Sequence, residues 1–179
     1  MRKIDDFLGV LLAASSLDES LVAYLGTTAL SHWVVETPWV WPVCEALHFM
    51  GLALLIGIIG PLDLRLMGFM KSVPISALRS LVPWAVAGFV INLVTGLVFF
   101  IGTPQQYVGN IAWWFKVLFL LVAGLNMLAF DRVQRTRRLA MGPAEDTPTV
   151  FKTIGAVSLV SWLMILYWGR MLPFLGNAF

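Results

Sequence analysis

The chain has 179 residues, of which 59% are hydrophobic and only 12% charged, with a mean hydropathy of +0.85. That balance excludes an ordinary soluble domain, and a net charge of +2 with no basic stripe excludes nucleic-acid binding. The single cysteine, Cys44, excludes an internal disulfide.

In chain order, FLGVLLAA at 7–14 is too short to cross a bilayer, although Arg2 and Lys3 before it give it the outline of a signal peptide. The next apolar stretch, 21–35, is interrupted by two threonines, a serine and His32. Asp18, Glu19 and Ser20 supply an N-cap and an acidic first turn, so 21–35 reads as a helix in the interface or packed on a bundle. Four runs then have spanning length: 40–61, 82–102, 113–130 and 154–174. Eight Trp and twelve Phe suit aromatic belts at the two membrane interfaces. This divides the chain into an N-terminal interfacial helical segment, 1–38, and a four-span bundle, 39–179.

Charge sets the expected orientation. The 131–152 connection carries Arg132, Arg135, Arg137, Arg138 and Lys152, and the 64–81 connection carries Arg65, Lys71 and Arg79. The 103–112 connection and the tail after Leu175 have no charged side chain. The positive-inside rule then makes the two basic connections cytoplasmic and the C-terminus external.

Ionisable groups within spans are costly and mark candidate sites. Glu45 and His48 fall roughly 7–12 Å into the first span, at a rise of about 1.5 Å per residue. Lys116 starts the third span and Arg170 ends the fourth, with Gln105 and Tyr107 in the connection above. Glu45, His48, Lys116 and Arg170 are therefore expected at one outer level, with Glu45 and His48 sharing an inward face. A second, inner polar group comprises Asp63, Arg65, Asn126 and Asp131, while Asn92 and Thr95 lie mid-span on the second helix. Each has a plainer reading: Lys116 and Arg170 snorkel to headgroups, Asp63 and Arg65 anchor a helix end, and the asparagines tie helices together.

A histidine inside a four-helix bundle is a potential axial ligand of haem iron, with Lys116 and Arg170 placed for propionates. A bis-histidine haem would need His32 to fold back; otherwise Met127, Met164 or a second subunit completes the iron. The Glu45-x-x-His48 spacing also fits half of a di-iron motif, and Cys44, His48 and Met50 contain copper-type ligands, but neither set is complete. The same residues suit a proton or anion path. No nucleophile elbow and no phosphate-binding loop occurs.

Four segments together carry a resemblance: Trp41-Pro42 with Glu45 and His48, Asp63-Leu64-Arg65-Leu66 with Gly68, Asn110 and Ala112 with Phe115-Lys116, and Gly169-Arg170. In this pattern the chain resembles an uncharacterised family of small bacterial four-helix inner-membrane proteins, known as a domain of unknown function. The resemblance covers about 39–174 and implies fold and location, with no activity attached.

The expected fold is all-α: a polytopic membrane four-helix bundle preceded by an interfacial N-terminal helix. The expected function is that of an integral membrane redox protein with a b-type haem at His48, near the outer face, surrounded by Glu45, Lys116, Arg170 and Tyr107. The alternatives are a proton, anion or metal carrier using the same cluster, or a structural subunit of a homo-oligomer or larger membrane complex.

Overall fold

The computed structural model describes residues 19–137 and 146–175; the run at 7–14 and Asp18 lie outside them. Two short helices, α1 (Glu19–Gly26) and α2 (Ala29–Glu36), precede α3 (Val40–Leu66). A short α4 (Ile75–Arg79) leads to α5 (Val82–Gly102), and another, α6 (Pro104–Val108), leads to α7 (Ile111–Arg137). The last helix is α8 (Thr149–Leu175). No strand occurs among the described residues.

The four long helices, α3, α5, α7 and α8, are each long and apolar enough to cross a membrane. Their outward faces carry Phe49, Met50, Leu93, Leu97, Leu121 and Leu125, all more than half exposed. Water would not tolerate so continuous an apolar surface, so the chain is a multi-pass membrane protein whose helices contact lipid. The helices pair as two antiparallel hairpins, α3 with α5 and α7 with α8, and α3 packs on α8 to join them.

The α3–α5 and α3–α8 crossings both depend on small residues. Where α3 crosses α5, a Cβ on Gly88 would lie 2.7 Å from Gly51 O, and one on Gly51 would lie 2.8 Å from Gly88 O. Where α3 crosses α8, a Cβ on Gly155 would lie 2.8 Å from Asp63 O. At that end Leu62, Leu66, Ile75, Phe151 and Ile154 form the buried apolar cluster.

The helix ends differ from the expectation in an informative way. The first span does not stop near 61: Pro61 is accommodated and α3 continues to Leu66, taking Asp63 and Arg65 into the helix. It ends in a Schellman turn, with Phe69 N donating to Leu64 O at 3.0 Å and Gly68 N to Arg65 O at 3.2 Å. Gly68 has φ of +98°, which explains the glycine of the Asp-Leu-Arg-Leu-x-Gly pattern. The expected single helix over 21–35 is broken at Thr27–Thr28. Thr28 N-caps α2 by accepting from Ser31 N at 3.2 Å, and this competes with helix continuation. α2 then packs on the end of α5, where Ser31 Oγ donates to Gly102 O at 3.2 Å.

Candidate functional site

His48 lies one third of the way along α3, with its ring turned toward α5. Its Nδ1 is 2.7 Å from Thr95 Oγ1. The Thr95 hydroxyl also lies 2.8 Å from Ile91 O, the usual acceptor for a helical threonine. A hydroxyl has one proton, so with that proton on Ile91 O the Thr95 oxygen accepts from His48 Nδ1–H. In that arrangement Nδ1 carries the hydrogen and the lone pair is left on Nε2; a Thr95 proton turned to Nδ1 would reverse the two roles. Phe99 flanks the imidazole with centroids 5.8 Å apart, and a Cβ on Gly96 would lie 3.9 Å from its Cε1.

Lys116 comes to the same level from α7. Its stem lies against Gly169 of α8, where a Cβ would meet Nζ at 3.6 Å and Cε at 3.7 Å. The ammonium is close enough to act electrostatically on His48. No carboxylate pairs with Lys116 among the described residues. Phe115 stacks on Trp168 at 4.5 Å and fixes α7 against α8 beside this lysine.

The other expected members stand apart. Glu45 is exposed and makes no ion pair among the described residues. Three helical steps separate it from His48 by about 60° around the axis, so turning the imidazole to α5 carries the carboxylate off the seam. Its charge is felt instead by Tyr107 in α6, whose hydroxyl burial and the Glu45 carboxylate together push up to about 12. Tyr107 packs edge-on against Trp113 at 5.1 Å, and Trp113 stacks on Phe100 at 5.5 Å. Arg170 is exposed over the Phe174 ring, 5.2 Å from its centroid. His32 is exposed and bonded to Glu36 at 3.0 Å, so it is not brought to His48. Met50 and Met127 are 65% and 63% exposed, on outward faces, while Met164 is half-buried on α8. No three His, Cys, Asp or Glu side chains gather to hold a metal ion among the described residues.

The inner polar residues do not form one cluster. Asp63 is buried at the α3–α8 crossing. Arg65 is fully buried rather than an interfacial anchor: Nε donates to Val73 O at 2.8 Å and a terminal nitrogen donates to Thr147 Oγ1 at 3.4 Å. Thr147 Oγ1 in turn donates to Arg65 O at 3.3 Å, so this arginine ties the 68–74 loop to the start of α8. Asn126 joins α7 to α8 by donating to Ile154 O at 3.0 Å. Asp131 is exposed, 3.9 Å from Arg135 on its own helix. At the start of α8, Lys152 and the loop residue Lys71 both bond Asp146, and these hydrogen bonds hold its carboxyl down to about 2.

Thr95 stands in the sequence reading only as a mid-span polar residue, without its pairing to His48, and Thr147 escaped it altogether. Thr95 was recognisable in principle: it lies seven residues before Gly102, and His48 eight residues after Val40, so the antiparallel pair meets at one depth. Thr147 had no such signal, because its role depends on how the 68–74 loop folds back. Asn110 proves structural: it accepts from Ala112 N at 3.0 Å to start α7 and donates to Leu172 O at 2.8 Å. No family model, curated protein or solved structure matches the chain.

Proposed function

We propose that the protein is a membrane redox protein that holds a b-type haem through His48 Nε2. The observation that carries this reading is the Thr95 hydrogen bond, which fixes the imidazole by Nδ1 and leaves Nε2 as the ligating nitrogen. Metal-bound histidines are commonly oriented in this way by a partner on the other ring nitrogen. Lys116 acts electrostatically on the imidazole and would pair with a propionate, a role that gives an in-membrane ammonium its counter-charge. When bound, such a group supplies reversible one-electron chemistry. The chain's own residues orient the ligand, neutralise the carboxylate and, through Phe99 and the apolar helix faces, keep water out.

In this reading the membrane is the bacterial inner membrane. The basic 64–81 and 131–152 connections face the cytoplasm, and His48, Lys116 and the C-terminus lie toward the outside. With His32 held by Glu36, any second ligand would come from Met164 or from a neighbouring subunit. The test is a reduced-minus-oxidised visible spectrum of protein purified after expression with ample iron and haem precursor. A Soret and α-band with near-stoichiometric haem, lost in His48→Ala, supports the reading. A colourless wild-type protein sinks it.

A further inference from the structure

We infer that Asp63 is a proton-binding site, a carboxylic acid enclosed where α3 crosses α8 and separate from His48. Asp63 is 3% exposed, and α8 approaches so closely that Gly155 has no room for a Cβ beside the Asp63 carbonyl. Its neighbours Leu62 and Leu66 belong to the buried apolar cluster. Oδ2 has no hydrogen-bond partner among the described residues, and the polar side chain facing the carboxyl is the Ser158 hydroxyl of α8.

The charged groups on the surrounding elements are engaged elsewhere. On α3 itself, Arg65 directs its guanidinium to Val73 O and Thr147. From the 68–74 loop and from α8, Lys71 and Lys152 converge on Asp146, at 3.2 Å and 2.9 Å. On α7, Arg135 faces Asp131. None of these contacts is made to Asp63. A buried carboxylate short of hydrogen bonds and counter-charge costs several kcal/mol, and taking up a proton removes that cost. Intramembrane carboxyls in this condition are the elements of proton relays.

The site lies near the end of its helix. Asp63 is three residues from the end of α3 at Leu66, about 4.5 Å along the axis at the helical rise, and Phe69, Met70 and Lys71 in the loop beyond are exposed. The step is a simple proton exchange: the carboxylate takes a proton from water at this end and returns it, and no electron moves. The inference does not depend on haem at His48.

Isotope-edited infrared spectroscopy of the full-length protein in liposomes tests it, using aspartate with heavy carbon in its side-chain carboxyl. At neutral pH a carboxylic-acid carbonyl band should appear, shift with the heavy carbon, and shift again in heavy water. Asp63→Asn should remove it. Should that variant misfold, Asp63→Glu in unlabelled glutamate medium should equally remove the isotope-sensitive band. Labelled aspartate seen only as carboxylate overturns the proposal. So does a band that survives either substitution, or one that never exchanges with heavy water.

Discussion

His48 and Thr95 are joined across the α3–α5 seam at 2.7 Å, and the threonine hydroxyl is at the same time 2.8 Å from Ile91 O. With that hydroxyl's one proton on Ile91 O, Thr95 is the acceptor and His48 Nδ1 the donor. Replacing Thr95 by valine keeps the shape and removes the acceptor. In the haem reading, Thr95→Val should weaken retention about 10- to 100-fold, the usual effect of losing a histidine's orienting partner. Haem titration of the apoprotein measures this, and unchanged affinity would separate the hydrogen bond from any ligand role.

The two basic residues expected together should behave differently. Lys116 is seated on Gly169 and reaches His48 electrostatically, whereas Arg170 is exposed over Phe174. Lys116→Ala should therefore weaken haem retention distinctly more than Arg170→Ala, as followed by haem loss to an acceptor protein. Equal effects would remove Lys116 from its proposed place.

The spans were legible because twenty-residue apolar runs leave few alternatives, and their starts at 40 and 82 match α3 and α5. The cluster was less legible, because depth along a helix can be counted but rotation about its axis cannot. His48 and Lys116 share both depth and direction, while Glu45 shares only depth. Arg65 reads from the sequence as an inner polar residue or a helix-end anchor, and its burial is hidden for a related reason. A basic residue at a span end ordinarily snorkels, and only the loop returning over Leu66 encloses it. Gly155 and Gly169 were readable as small residues, but not as seats for Asp63 and Lys116.

The glycine crossing makes a stability prediction. A methyl on Gly88 would lie 2.7 Å from Gly51 O and 3.1 Å from Leu55 N, so α3 and α5 must separate to admit it. Gly88→Ala should destabilise by about 1–3 kcal/mol, the range for overpacking a tight core. Gly124, with nothing near its Cβ position, is the control: alanine there should be neutral or slightly stabilising. Circular dichroism during titration of mixed micelles with a denaturing detergent compares the two.

Orientation is checked at two exposed loop positions at opposite ends of the bundle. A cysteine at Ser72 should react with an impermeant reagent only from the cytoplasmic side, and one at Gln106 only from outside. Reversed labelling would move the His48 level to the cytoplasmic half and overturn the proposed outer-face location.

Tyr107 offers a pH readout of the Glu45 carboxylate. Burial is the larger cause and Glu45 the second in pushing its hydroxyl up to about 12. Because the folded value is raised, the neutral phenol favours the fold. That contribution is fully present below the unfolded value of about 10 and is lost as pH rises through about 12. Glu45→Gln removes the negative charge that opposes tyrosinate and leaves burial in place. The Tyr107 titration should therefore move down but remain above that of an exposed tyrosine. Ultraviolet difference absorbance of tyrosinate follows it, with Tyr107→Phe identifying the component among the three tyrosines. An unmoved titration in Glu45→Gln would mean that the carboxylate does not face α6, and that Glu45 belongs with lipid or with a partner.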